Sequence, residues 1–356
     1  MSETTEQVHR RFSDRSIVQL TLARFRGFIR EPEAVFWTFV FPILLAVGLG
    51  VAFRSRAPER PHVGVLQSGT ASGIVEPLKR DTSLIVEVMD DSAAARALRT
   101  GKIAVLVRMT GPTSVEYTYD AVRGDAASAK LVVDKAIQRA AGRVDPVTVA
   151  ERRVTERGSR YIDFVLPGLL GMNLMGSGIW GLGFAIVDQR GKKLLKRFMA
   201  TPMSRVEYLA SFMLSRLVFL VLEVITLLGF GALVFHVPLR GSLLTLAAIC
   251  LLSAMAFAGM GLLIASRART TEGVSGLMNL VMLPMWIFSG VFFSSSNFPQ
   301  VAQPLIKLLP LTAVNNALRA NMLDGASLAG VSGQVLVIVA WLVISFIAAL
   351  KLFRWR

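Results

Sequence analysis

A carboxylate set in apolar surroundings is the first candidate for chemistry in this 356-residue chain. In "LVFLVLEVITLL", Glu223 stands about two turns into a run otherwise free of charge. An ionised carboxylate in hydrocarbon is costly, so such a residue faces a partner group or a watery pathway, where it can also carry a proton. A glutamate that merely hydrogen-bonds a neighbouring helix is an equally open reading. Asn173, Ser177, Trp180 and Asn279 also lie in apolar runs. Amides and hydroxyls there most often tie helices together; the alternative is that Asn173, Trp180, Glu223 and Asn279 line a substrate pathway or a subunit interface.

The second feature is a dense group of cations, "DQRGKKLLKRFMATP" (188–202), with five between Arg190 and Arg197. With 190–201 as a helix, Leu194, Leu195, Phe198 and Met199 occupy one side, and Lys192, Lys193, Lys196 and Arg197 the other. The apolar side can rest on a membrane or on helix ends while the cations face water. Thr201-Pro202 breaks the pattern, and Ser204 can cap a second helix, 205–216. The cations can act as a topogenic signal in contact with anionic lipid, or as part of a docking surface; charge alone does not decide.

Other chemistry lacks its residues. No nucleophile–base pair stands out. Cys250 is the single cysteine, so no intramolecular disulfide or cysteine cluster can form, and the three histidines (His9, His62, His236) are scattered. No G-x-x-x-x-G-K-[ST] motif occurs: Gly101-Lys102 and Gly191-Lys192 lack the upstream glycine and the following hydroxyl that a phosphate cradle needs. No metal site and no nucleotide site is expected in this chain. The net charge of +15 sits in the flanks of apolar runs, which points to lipid and orientation and away from nucleic acid.

The elements that hold these residues are membrane helices. The chain is 53% hydrophobic with a mean hydropathy of +0.55. Six runs reach a spanning length: 34–53, 164–187, 217–235, 243–265, 277–293 and 331–353, the fifth being short and broken by Pro284. The first follows a long polar lead and reads as an uncleaved span. Six Arg lie between Arg10 and Arg30, and seven Lys/Arg in the 188–216 loop; Arg267, Arg269 and the tail add more on the same side. The opposite short connections hold only Arg240, Lys307 and Arg319. By the positive-inside rule both termini and the basic loop are cytoplasmic.

Residues 54–162 then lie outside. "HVGVLQ", "LIVEVMD", "IAVLVRM" and "SVEYTYD" read as strands, and "DSAAARALRTG" and "DAASAKLVVDKAIQRAAGRV" as helices, giving a mixed α/β domain. Ahead of the first span, Ile17, Phe25, Phe28 and Ile29 fall with Val18 and Leu22 in an arc of about 140° at about 100° per residue, as in an interfacial amphipathic helix ended by Glu31-Pro32. Gly168, Gly171, Gly176, Gly178, Gly181 and Gly183 crowd the second span, and Ala254, Ala258, Gly261 and Ala265 recur in the fourth, so both allow close helix packing within this chain or with a second copy. The segment 297–325 is too interrupted to span and reads as one or two short re-entrant helices, a surface-lying loop helix being the alternative.

Three separated stretches resemble the ABC transporter type-2 permease family. "DQRGKKLLKRFMATPMSRVEYLASFMLSRL" is similar to the basic loop after that family's second span. "YIDFVLPGLLGMNLM" (161–175) resembles the start of that span, and "FSGVFFSSSNFPQVAQPLIKLLPLTAVNNALR" (288–319) the segment after the fifth. The resemblance implies an α-helical integral membrane protein of the cytoplasmic (inner) membrane. It would have residues 1–33 as a cytoplasmic N-terminus with an interfacial helix, 34–53 as the first transmembrane helix, 54–162 as an extracytoplasmic α/β domain, and 163–356 as transmembrane helices two to six. It implies a coupling helix docking on an ATPase subunit, carried by Arg190, Lys192, Lys193, Leu194, Leu195, Lys196, Arg197 and Phe198, with Thr201 and Pro202 as its turn. ATP and Mg would then be bound by the partner subunit. A second permease copy or a sibling would complete the assembly, and a periplasmic adaptor is left open. The implied activity is export of a hydrophobic or amphipathic substrate: a drug, a lipid or a glycan. Lys192 stands where the family often has threonine. Two other classes stay open: a proton-coupled carrier using Glu223, and a membrane-anchored adaptor acting through its outer domain.

Overall fold

Long apolar sequence becomes helix in a membrane because only a helix pairs its own backbone groups where water is absent. The computed structural model of this chain describes residues 16–53, 60–67, 72–111, 114–143, 147, 160–192, 205–268 and 270–352. Two compact units emerge, residues 56–154 and the combination of 1–55 with 155–356.

In the helical unit, α1 (Ser16–Ile29) stops before Pro32, which opens α2 (Pro32–Ala52) from its first turn. A π-helical turn, Phe36–Val40, interrupts α2. The later helices are α6 (Tyr161–Gly191), α7 (Arg205–Val234), α8 (Leu243–Arg267), α9 (Thr271–Phe288), α10 (Gln303–Leu308), α11 (Pro310–Asp324) and α12 (Ser332–Leu352). Among the described residues five helices are long and apolar enough to cross a membrane: α2, α6, α7 from Leu214, α8 and α12. The expected fifth span, 277–293, is the 18-residue α9, which ends at Phe288 and is not among them. Its polar first turn, Asn279 and Pro284 lower its apolarity, and 18 residues give only about 27 Å of rise. The helix expected over 205–216 is continuous with the span that follows it.

The helix α6 is the spine, packed against α2, α7, α8, α9 and α11, while α8 runs between α6 and α12. Glycines permit this. A Cβ on Gly178 would stand 2.6 Å from the Phe257 Cβ, and one on Gly261 would stand 2.7 Å from the Ile179 carbonyl oxygen. The small residues of the second and fourth spans therefore meet each other within one chain. We expect Gly261→Ala to destabilise the protein by about 1–3 kcal/mol, since backbone atoms cannot yield to the added methyl. Gly181→Ala, with nothing within 4 Å, should leave the unfolding temperature of the detergent-solubilised chain unchanged. Comparing the two melts checks the α6–α8 seam.

The other unit holds β1 (His62–Leu66), α3 (Ser72–Arg80), β2 (Ile85–Met89), α4 (Asp91–Arg99), β3 (Val105–Met109), β4 (Val115–Tyr119) and α5 (Gly124–Ala140). The sheet order is β2-β1-β3-β4, with β1 parallel to β2 and β3, and β4 antiparallel to β3. Alternation along the strands decides the faces. Val63, Val65, Val105 and Val107 share one core with Leu78 of α3 and Val133 of α5; Leu66 and Leu106 meet Ala94 and Ala97 of α4 on the other. Asp90 caps α4 through a 2.6 Å bond from the Ala93 N–H, and Gly101 (φ 73) closes its far end in a left-handed turn that a side chain would strain.

Candidate functional site

Three spans are joined by one chain of polar groups. Glu223 on α7 is 1% exposed. Arg216 lies seven residues earlier on the same helix, two turns and hence the same face, and its Nη1 reaches Glu223 Oε1 at 3.2 Å. Ser177 on α6 approaches Glu223 Oε2 at 2.9 Å and the Asn173 carbonyl at 2.8 Å, and its single hydroxyl proton serves one of the two at a time. Arg216 Nη2 also donates to Ser177 Oγ. Asn173 Nδ2 donates to the Thr38 carbonyl at 3.1 Å, within the π-turn of α2. The network thus runs from α2 through α6 to α7. Each buried group answers another, which is how charge is tolerated among apolar helices.

Of the residues assigned by sequence to a pathway or interface, Asn173 and Glu223 meet in this network. Trp180 does not join it; its ring lies 6.0 Å from that of Phe184, beside the exposed Gly181 on an open face of α6. Asn279 is exposed on α9, off the buried stripe of Val274, Met278, Met282 and Met285. Arg216 was a loop cation by sequence; the signal for its true place was the seven-residue spacing to Glu223.

The basic segment starts differently from the reading of a separate helix at 190–201. Arg190 and Gly191 are the last residues of α6. Arg190 turns toward α8, its Nη1 donating to the Ala265 carbonyl at 3.3 Å and the Ala268 carbonyl at 3.2 Å. A cation at a helix C-terminus satisfies carbonyls that have no partner within the helix. Lys192 pairs with Asp188 at 2.9 Å on the surface. Lys193, Leu194, Leu195, Lys196, Arg197, Phe198, Thr201 and Pro202 lie outside the described residues, as does Ser204.

On α1, Phe25 and Phe28 pack on Phe219 of α7 with ring centroids 5.6 and 4.4 Å apart, and Ile29 is exposed. The Ile17 side chain lies outside the description.

The third grouping follows α9. Arg319 of α11, a loop cation by sequence, is half-buried: its Nε donates to the Phe164 carbonyl at 3.1 Å, its Nη2 to the Gly290 carbonyl, and its Cζ sits 3.7 Å from the Phe164 ring centroid. Asn315 Nδ2 holds the Ser289 carbonyl at 2.9 Å, and the Tyr161 hydroxyl holds that of Phe292 at 2.9 Å. The turn after Phe288 is therefore gripped from α6 and α11. Segment 297–325 contains a 3-10 turn at Gln300–Ala302 and the α-helices α10 and α11, the latter buried along most of its length.

Comparison with known proteins decides the family. The model of the family described as ABC-2 family transporter protein matches residues 33–351. The chain belongs to the ABC-2 family of transporter proteins. As an ABC-2 protein with several apolar helices of spanning length, it is a multi-pass membrane protein. It is similar to ABC transporter G family member 20 of Dictyostelium discoideum, 28% identical over 200 residues, which is 54% of this chain and 27% of that protein. It is also similar to the probable multidrug ABC transporter permease YbhS of Escherichia coli K12, 26% identical over 165 residues, or 46% of this chain and 43% of that one. The O157:H7 strain's protein of the same name matches equally. The ABC-2 chain thus spans less than half the length of these relatives.

Proposed function

We propose that this chain is the membrane permease subunit of an ATP-driven exporter, working with a separate ATPase subunit that binds ATP and Mg. The observation that carries this reading is the match to the ABC-2 family along 33–351, with a basic loop between two apolar helices of spanning length. In this reading α9 is a sixth span, both termini and the loop are cytoplasmic, and the α/β unit lies outside. The segment 297–325 dips back into the outer leaflet. Two copies, or this chain with a sibling, pair with two ATPase subunits. The substrate is a hydrophobic or amphipathic molecule, in line with the multidrug permease name of the bacterial relatives.

The mechanism follows from what flanks the loop. Arg190 ties its upstream end to the α8 terminus, and Arg216 ties its downstream helix to α6. When the ATPase pair closes on nucleotide and displaces the coupling segment 190–199, α6, α7 and α8 move together, and the Asn173–Thr38 bond carries the shift to α2. The chain performs no bond chemistry; it converts displacement into access. A proton-coupled carrier draws no support from a Glu223 already held by Arg216 and Ser177.

Purification of the tagged chain from its native membrane tests the assignment. A P-loop ATPase should accompany it in equal amount; purification without one, with transport intact, would overturn the reading. Arg190→Ala separates docking from coupling. Because Arg190 faces α8, the variant should retain the ATPase and its hydrolysis while losing most ATP-driven export, and Arg190→Lys should restore part of it.

A further inference from the structure

We propose that the groove between α1, α2 and α7 is a lipid site that holds one acyl chain of an anionic glycerophospholipid. The groove encloses about 560 Å³. Its walls include Phe25 and Phe28 of α1, Phe36 and Phe39 of α2 and Phe219 of α7, with Thr226 as the polar exception. The Phe28 ring bridges the walls, 4.4 Å from Phe219 and 6.2 Å from Phe39. Both α2 and α7 are long and apolar enough to cross the bilayer and bury little of their own surface, so the groove opens on hydrocarbon. An aromatic trough in that medium is filled by hydrocarbon, since an empty one forfeits dispersion contacts on every wall.

The headgroup is argued from charge. Arg26 and Arg30 lie one turn apart on and just beyond α1, next in sequence to the groove-lining Phe25 and Ile29 but on the polar flank of the helix, away from its groove-lining face and where an interfacial helix meets headgroups. Both are exposed, and among the described residues neither is paired with a carboxylate, although Glu31 and Glu33 follow in sequence. An acyl chain gains little by leaving bilayer hydrocarbon for an apolar trough. Selection therefore rests on the phosphate meeting these arginines, at about fivefold per cation near the membrane surface, lowered by the two glutamates. The π-turn gives the site a further consequence. It turns Phe36, Phe39 and Val40 into the groove while its Thr38 carbonyl accepts from Asn173. A bound acyl chain thus rests on the same turn that begins the polar network.

This proposal rests on placement in the membrane and not on coupling to an ATPase, so it can fail or stand without that reading. The test is native mass spectrometry of the full chain released from nanodiscs of equal phosphatidylglycerol and phosphatidylcholine. Wild type should retain one phosphatidylglycerol per chain. Thr226→Trp fills the groove from α7 and should lose the lipid. The surface variant Arg26→Gln with Arg30→Gln should keep a lipid but lose the several-fold preference for phosphatidylglycerol. The proposal is overturned by a wild-type chain that retains no lipid or only a non-lipid apolar compound. Equal retention in Thr226→Trp, or an unchanged preference without the arginines, would overturn it too.

Discussion

Arg216→Ala is expected to cost about 3 kcal/mol or more of stability, the scale for stranding one member of a buried ion pair. The unfolding temperature of the solubilised chain should fall by about 4 °C or more. Glu223 is 1% exposed and loses the cation that lies 3.2 Å from it, leaving only Ser177 to answer it. Glu223→Gln should cost less, about 1–2 kcal/mol, because the amide oxygen still accepts from Arg216 and the amide nitrogen can donate to Ser177 Oγ. The combination Arg216→Met with Glu223→Leu should recover most of the loss, since removing both charges leaves nothing buried and unpaired. A double-mutant cycle followed by tryptophan fluorescence measures this coupling directly. Transport separates structure from function: a double variant that melts like wild type yet fails to export would show that the polar link transmits motion.

Reversing the charge of the loop should have the largest effect on activity. With Lys192, Lys193, Lys196 and Arg197 all changed to Glu, the chain should still fold, because Lys192 engages only a surface pair with Asp188. It should no longer retain the ATPase, and ATP-driven export should fall by at least about a hundredfold, the loss of some 3 kcal/mol of docking energy. Co-purification with the tagged chain reads the first outcome, and vesicle transport the second. A variant that keeps the ATPase in full would mean that the loop's cations serve orientation alone.

The parts legible in sequence were those with a single physical cause. Length of apolar run marked α2, α6, α8, α12 and the apolar part of α7 from Leu214 within a few residues, because a helix in lipid needs little beyond apolarity and length. The strands of the α/β unit were legible as short, β-branched runs bounded by turn residues, as in "HVGVLQ". The helix α3 was not foreseen, since Gly73 and Pro77 argue locally against it and packing of Leu78 and its neighbours outweighs them. The end of α9 was misjudged because "FSG" continues an apolar run, while Gly290 (φ 71) turns the chain immediately after Phe288. Site residues were legible by type and not by partner. Glu223 stood out as a buried charge, but Arg216 and Arg319 were counted as loop cations, because sequence displays a charge without its surroundings. Arg190 was grouped with its basic neighbours, and only the position of the α8 terminus reveals what it meets.

The central claim, that this chain moves substrate only when another subunit hydrolyses ATP, is tested most directly in proteoliposomes. Vesicles would hold the chain alone or the chain with its co-purifying ATPase, each with ATP, with a non-hydrolysable analogue, or with an imposed proton gradient. The account predicts accumulation of an amphipathic fluorescent substrate only where ATPase and hydrolysable ATP are both present. Equal accumulation by the chain alone, driven by the proton gradient and abolished by Glu223→Gln, would contradict it.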